Sequence, residues 1–231
     1  MRYADLTRNT KDPLKRLAHG KRFAQAAAIV PLNAEQKILD YGCGDGGFFD
    51  ELSKFVPLEN LYGYEPHLLD QMEFLGATTY EDREILIANE SDSFDVVFCM
   101  EVCEHLDSTR LYELFDAVRS VSRKNAVIVF GVPLETGLSG FIKNTYRTFK
   151  GGVQNATLGR ALKSLLSIPI PRAISPRGWI GSHVGFDALA FSETLKYGGF
   201  RIVEKHYLPL RALGPLANNE VYFVCELSEP A

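Results

Sequence analysis

Residues 37–49 read KILDYGCGDGGFF: an apolar run, an acid, and four glycines within six positions. Ile38, Leu39 and Tyr41 fit a short buried strand, and the glycines that follow it lack the Cβ that bars positive φ and close approach to the backbone. A helix starting at the pair of phenylalanines would add free N–H donors at its first turn. The unit strand, glycine turn, helix holds a nucleotide-type ligand against the backbone. A tight turn between strand and helix would use the same residues, so the next strand arbitrates. It ends in NLYGYEP, with Glu65 where an acid accepts hydrogen bonds from both ribose hydroxyls and repels a 2′-phosphate. The expected ligand is a ribonucleoside.

Outward from this unit the chain alternates. SFDVVFCM and NAVIVFGVP are too brief for helices and rich in β-branched or aromatic residues, and ATTYE is a weaker strand of the same kind. GFFDELSKF, PHLLDQMEFL and STRLYELFDAVRSVSR repeat apolar residues at three and four positions and read as helices. Upstream, Asp12 and Pro13 open a helix that runs to about Ile29, carries Lys15, Arg16, Lys21 and Arg22, and is stopped by Pro31. Near the end, FDALAFSETLKYGGF reads as a helix closed by glycines, and RIVEKHYLP and EVYFVCEL as two strands. Alternation of this kind predicts an α/β fold whose parallel sheet binds its ligand beyond the carboxyl ends of the strands, after Tyr41, Tyr64, Met100 and Phe130.

With 231 residues, 46% of them hydrophobic, the chain can bury a full core as one domain. A formal charge of −4 gives no general attraction to phosphate backbones, so nucleic acid is not an expected partner. Neither a leader-like N-terminus nor an apolar run of the roughly 20 residues that span a bilayer stands in the sequence, and a cytoplasmic protein is expected. Cys43, Cys99, Cys103 and Cys225 form no CxxC pair and sit in apolar runs, as reduced core thiols do.

The glycine spacing separates two cofactor classes. Dinucleotide sites space glycines as GxGxxG, whereas this turn reads Asp-Tyr-Gly-Cys-Gly-Asp-Gly over residues 40–46. That sequence resembles the first motif of class I S-adenosylmethionine-dependent methyltransferases. SFDVVFCMEVCEHL, residues 93–106, is similar to the fourth strand of the ubiquinone-biosynthesis O-methyltransferases within that class. The resemblance covers most of residues 13–130 and 183–227. It implies a Rossmann-like, seven-stranded, mostly parallel sheet with the last strand antiparallel, helices on both faces, and S-adenosyl-L-methionine as cofactor. It also implies that Asp40, Gly42, Gly44 and Asp45 lie along the cofactor, that Glu65 and Pro66 meet the ribose, and that Met100 and Glu101 follow where the chain passes it. Arg22 matches an arginine that binds the cofactor's carboxylate in those relatives, a task suited to a guanidinium, although a solvated helix face shared with Lys15 and Lys21 reads equally well. Glu81 or Asp82, after the third strand, is placed for the adenine.

Methyl transfer from a sulfonium needs alignment and, for a hydroxyl acceptor, a base. His105, beyond the fourth strand, and His183 are the candidates, each weighed against an ordinary hydrogen-bonded histidine. Glu101, Glu104 and His105 in EVCEH carry groups that suit a divalent cation, but the spacing is no dedicated metal motif and no metal is expected.

Residues 136–182 break the alternation. They hold Lys143, Arg147, Lys150, Arg160, Lys163, Arg172 and Arg177, no acid, and the apolar segments LGRALKSLLSIPIP and GWIG. A lid insertion after the fifth strand is expected, either recognising an anionic or lipid-linked small-molecule acceptor and touching a membrane surface weakly, or covering an ordinary small molecule with its lysines solvated. The sequence thus predicts an S-adenosylmethionine-dependent methyltransferase acting at oxygen on a small-molecule or glycan-precursor acceptor. A quinone-precursor O-methyltransferase at the membrane surface, an NAD-dependent oxidoreductase, and a non-catalytic nucleoside-binding protein are the alternatives.

Overall fold

The structure is a computed structural model and describes residues 22–67, 76–150, 157–176, 178–216 and 218–228. Strand β1 (Ile38–Tyr41) buries all four of its residues, as a strand covered on both faces must. It pairs in parallel with β2 (Leu61–Tyr64) on one side and β4 (Phe94–Met100) on the other, with Asp40 opposite Gly63 and Phe98. Strand β3 (Thr78–Tyr80) continues the parallel set beside β2. With β5 (Ser122–Pro133), β6 (Phe200–Leu208) and β7 (Glu220–Leu227) the sheet has seven strands in the order β3-β2-β1-β4-β5-β7-β6. Strands β6 and β7 are antiparallel, with a shift of register between Ile202 and Glu204. This is the expected Rossmann-like arrangement.

By its contacts the chain divides into two compact units. One holds the residues up to Met100 together with Ala117–Val129, and the other holds Glu101–Asp116 and everything from Phe130 on. In the first, residues 22–27 are helical and end ahead of Pro31; the expected start of that helix, Asp12 to Lys21, lies outside the described residues. GFFDELSKF yields a shorter helix than expected, α1 (Phe49–Leu52), because residues from Ser53 on turn toward β2. Most of PHLLDQMEFL lies outside the described residues. Helix α2 (Arg83–Glu90) was not legible from apolar periodicity: Leu86 is its one buried apolar residue, and it is held at its ends instead. Asp82 caps its N-terminus, and Glu90 accepts from Tyr80 Oη at 2.9 Å and pairs with Lys37 Nζ at 2.5 Å.

In the second unit α3 (Ser108–Val121), part of which belongs to the first, stops two residues earlier than its periodicity suggests, and β5 takes over directly at Ser122. Its core includes the rings of Phe115, Phe130 and Phe200, packed edge-to-face at 5.1–5.8 Å, with Phe191 beside them. The 136–182 segment contributes two helices, α4 (Gly137–Lys150) and α5 (Leu158–Leu165), which pack against each other. Helix α6 (Ala188–Tyr197), capped by Asp187, then leads into β6. All four cysteines are buried and unbridged. Among the described residues no helix is long and apolar enough to cross a membrane.

Gly63 lets the turn after β1 lie against β2. A Cβ there would stand 2.7 Å from Cys43 Sγ and 2.9 Å from Phe49 Cζ, whereas one at Gly159 in α5 would meet nothing. Gly63→Ala is therefore expected to lower stability by about 1–3 kcal/mol through overpacking, and Gly159→Ala to be neutral or stabilising by up to about 1 kcal/mol. Urea midpoints of the two variants check this contrast.

Candidate functional site

The turn after β1 is built around left-handed glycines, with φ of +87° at Gly42, +57° at Gly44 and +80° at Gly46. Gly42 and Cys43 donate their N–H groups to the Tyr64 carbonyl at 2.7 and 3.1 Å, which ties the turn to the end of β2. One residue further, the Glu65 carboxylate accepts from Gly44 N at 3.1 Å through Oε2 and from His67 N at 2.8 Å through Oε1. A carboxylate offers about four lone-pair sites, so Glu65 can hold the backbone and still accept from two hydroxyls. Glu65 N in turn donates to Tyr80 O at 3.0 Å, and so Glu81 and Asp82 follow the strand end next to Glu65.

Asp40, Asp45 and Glu65 are all buried in this one region. Burial, and next the neighbouring charge of Glu65, push the Asp40 carboxyl up to about 8. Burial, and then the same two carboxylates, raise the Cys43 thiol as well, so it is no nucleophile. Carboxyls gathered and held out of water in this way are suited to a ligand that carries positive charge and hydroxyl donors.

The other sequence candidates fall around this core. Met100, half-buried, ends β4, the strand next to β1. Pro66 is exposed beside Glu65. Arg22 is half-buried at the first of the described helical residues. Asp82 is already engaged through one oxygen, because Oδ1 accepts from Glu84 N at 2.7 Å and Ile85 N at 3.2 Å as the cap of α2.

The second unit assembles a different group of residues. Glu101, directly after β4, holds φ at +57°, a region unusual for a residue with a side chain, and its N–H donates to Gly131 O at 2.8 Å. The short helical turn Cys103–His105 follows, with Glu104 fully buried. Residues 178–180, from the insertion, pair with 105–107: Ile180 N donates to His105 O at 2.7 Å, and Asp107 N to Gly178 O at 3.1 Å. Arg172 adds a clamp, donating from Nη2 to the carbonyls of Glu104 and Ser182.

This pairing brings together His105 and His183, 78 positions apart in sequence, with their Nε2 atoms 3.0 Å from each other. His105 Nδ1 lies 2.7 Å from the Ile180 carbonyl, so it carries the proton and leaves Nε2 as an acceptor. His183 then donates from Nε2, and its own lone pair is at Nδ1. Burial lowers the pKa of His105, and burial followed by the charge of His105 lowers that of His183 to about 4. Both rings are neutral at pH 7 and able to accept a proton. The indole of Trp179 stacks on His105 at 4.5 Å and 10° and fixes the plane of the ring.

Glu104 Oε1 lies 3.8 and 3.7 Å from the two Nε2 atoms. A point equidistant from all three is about 2 Å from each, the length of a bond to zinc or a similar ion. The geometry therefore admits a cation through a different set from the EVCEH spacing, with His183 in place of Glu101. Trp179, Arg172 and the His183–Glu104 proximity had no sequence signal beyond Trp179 being the one tryptophan in the chain.

Comparison with known proteins agrees with this picture. A family model described as a methyltransferase domain matches residues 8–203. By sequence, no curated protein matches the chain. Among solved structures, an S-adenosylmethionine-dependent methyltransferase from Listeria monocytogenes shares the fold at 14% identity and a TM-score of 0.60, over 91% of this chain and 100% of that one. Magnesium protoporphyrin IX methyltransferase from Synechocystis PCC 6803, solved with S-adenosylhomocysteine, gives 12% identity and 0.58 over 95% and 89%. The 1,6-didemethyltoxoflavin-N1-methyltransferase of Burkholderia thailandensis gives 11% and 0.58 over 94% and 83%.

The raised carboxyl of Asp40 has a sign that can be measured. Its native pKa, about 8, exceeds the ordinary aspartate value, so the folded protein binds a proton that the unfolded chain loses, and stability falls as pH rises toward 8. Asp40→Asn is expected to flatten this decline. Urea midpoints at pH 5 and pH 8 should differ less in the variant than in the parent, and equal differences would contradict the assignment.

Proposed function

The chain belongs to the methyltransferase domain family, and we propose that it transfers a methyl group from S-adenosylmethionine to an oxygen of a small-molecule acceptor, with the His105–His183 pair receiving the proton. The observation that carries this reading is the pair itself: two neutral imidazoles, one fixed in its tautomer by a backbone carbonyl, contributed by the segment after β4 and by the residue that follows the insertion. Solved proteins of the same fold carry S-adenosylhomocysteine, which supports the choice of cofactor.

The cofactor supplies an electrophilic methyl on a cationic sulfur that leaves as a neutral thioether. The residues that hold it in this reading are those of the β1 turn: Gly42 and Gly44 give the backbone approach, Glu65 accepts from the ribose hydroxyls, and Asp40 and Asp45 face the positive end. Arg22 pairs with the cofactor's carboxylate, Asp82 bounds the adenine, and Pro66 and Met100 complete the lining. As the acceptor oxygen is methylated, its hydroxyl proton would pass to the imidazole pair, whose free lone pair is at His183 Nδ1. Low histidine pKa values keep the base ready in mildly acidic solution.

A second reading rests on the triangle of Glu104 Oε1 and the two Nε2 atoms. A divalent cation held there would polarise the acceptor oxygen instead.

One assay separates these. With tritiated S-adenosylmethionine and a panel of phenol, sugar and carboxylate acceptors, transfer to a hydroxyl is expected. The acid limb of kcat/KM should lie below the ordinary histidine value of about 6.5, and His105→Ala and His183→Ala should each lower kcat by about 10²–10⁴ with cofactor affinity retained. Full activity in excess EDTA eliminates the cation. Alanine variants of unchanged kcat would contradict both readings.

A further inference from the structure

Helix α4 is inside out. Every described residue of it that is exposed is a large apolar one: Leu138, Ile142, Tyr146 and Phe149, spaced by four, four and three, so that they form one stripe. Phe149 is 79% exposed and Tyr146 61%. Its polar residues point inward. Ser139 Oγ donates to the carbonyls of Pro215 and Asn218 at 3.0 and 2.6 Å, and Asn144, fully buried, donates to Ser164 Oγ at 2.8 Å.

The anchor is Glu135, fully buried ahead of the helix. Arg147 grips it with two bonds, Nη1 to Oε2 at 2.5 Å and Nη2 to Oε1 at 3.0 Å, and Lys143 Nζ stands 3.3 Å from Oε1 while donating to the carbonyls of Leu134 and Asn219. Burial alone would raise the Glu135 carboxyl; the hydrogen bond from Arg147 and the two positive charges overcome it and hold it below the usual range. Rolling α4 to bury its stripe would strip this carboxylate of its partners inside the protein, a heavy cost. The outward direction of the apolar stripe is thus fixed by the fold.

Helix α5 repeats the pattern. Ala161 and Ser164 are buried against α4, while Leu158, Leu162, Leu165 and Leu166 face out, and Leu166 is 68% exposed. Two adjacent helices thereby present eight large apolar side chains to water, more than an isolated surface residue or two would explain.

We infer that the α4–α5 hairpin is a docking surface for an anionic lipid bilayer. The charge of the segment selects this occupant. Residues 136–182 hold no acid in a chain whose net charge is −4, and although Lys143 and Arg147 are turned inward to Glu135 and Arg172 to backbone carbonyls, Lys163 is exposed beside the leucines of α5, with Arg160 half-buried on the same helix. Lys163 complements acidic headgroups, while the leucines and Phe149 enter the interface. A second copy of the chain fits worse: a two-fold contact would set the same segment against itself, with no acid in it to pair with Lys163. The inference stands whatever the acceptor is.

Co-sedimentation of the full chain with phosphatidylglycerol-containing and with pure phosphatidylcholine vesicles tests it. Binding to the anionic vesicles at least tenfold tighter than to the neutral ones is expected, weakened by salt. Phe149→Ser with Leu166→Ser, both on exposed side chains, should lose binding at least tenfold while keeping the parent's thermal midpoint, and Lys163→Glu should weaken binding to the anionic vesicles only. A protein that stays in the supernatant with both vesicle types overturns the inference. So does equal binding by the serine variant, or a dimer in light scattering that the same serines abolish without any vesicle binding in the parent.

Discussion

The functional architecture of the first unit depends on one carboxylate. Glu65 accepts the N–H of Gly44 with one oxygen and that of His67 with the other, so the end of β2 and the glycine turn after β1 are held by the same side chain. Around it Asp40 and Asp45 are also buried, an arrangement in which like charges destabilise one another. Asp40 responds by holding its proton to about pH 8. A region that gathers acids in this way, in a fold whose ligands lie beyond the strand ends, is strained toward a cationic, hydroxyl-bearing partner. A sulfonium nucleoside has both features.

Much of this could be read from residues alone. The four buried residues of β1, the left-handed glycines and the acid at the end of β2 all follow from local rules, because a buried parallel strand and a positive-φ turn each constrain their own residues. The strands were legible for the same reason, whereas the antiparallel direction of the β6–β7 pair was implied by the family resemblance alone. Helix α2 was not, since it is held by an Asp82 cap and by Glu90 rather than by an apolar face. The same capping shows why Asp82 was a weaker candidate than Glu65: its carboxylate has backbone work of its own.

The histidine pair marks the limit of local reading. His105 was identifiable as a basic group beyond the fourth strand and His183 as one at the junction of insertion and core, yet nothing in the sequence states that residues 178–180 bridge to 105–107 and bring the two Nε2 atoms to 3.0 Å. Nor could the insertion's composition tell which side of α4 faces water. Its pattern is amphipathic under either orientation, and the choice is made by Glu135, whose burial demands Arg147 and Lys143 on the inner face. Ordinary amphipathic helices turn the apolar face inward; this one cannot without abandoning a buried ion pair.

Calorimetric titration of the cofactor-stripped chain with S-adenosylhomocysteine, beside its Glu65→Gln variant, reaches the central claim most directly. The parent should bind with one saturable isotherm, and the variant at least tenfold more weakly, a loss of about 1.4 kcal/mol. A parent that gives no heat and no thermal upshift at saturating ligand, or a variant with the parent's affinity, would contradict the account.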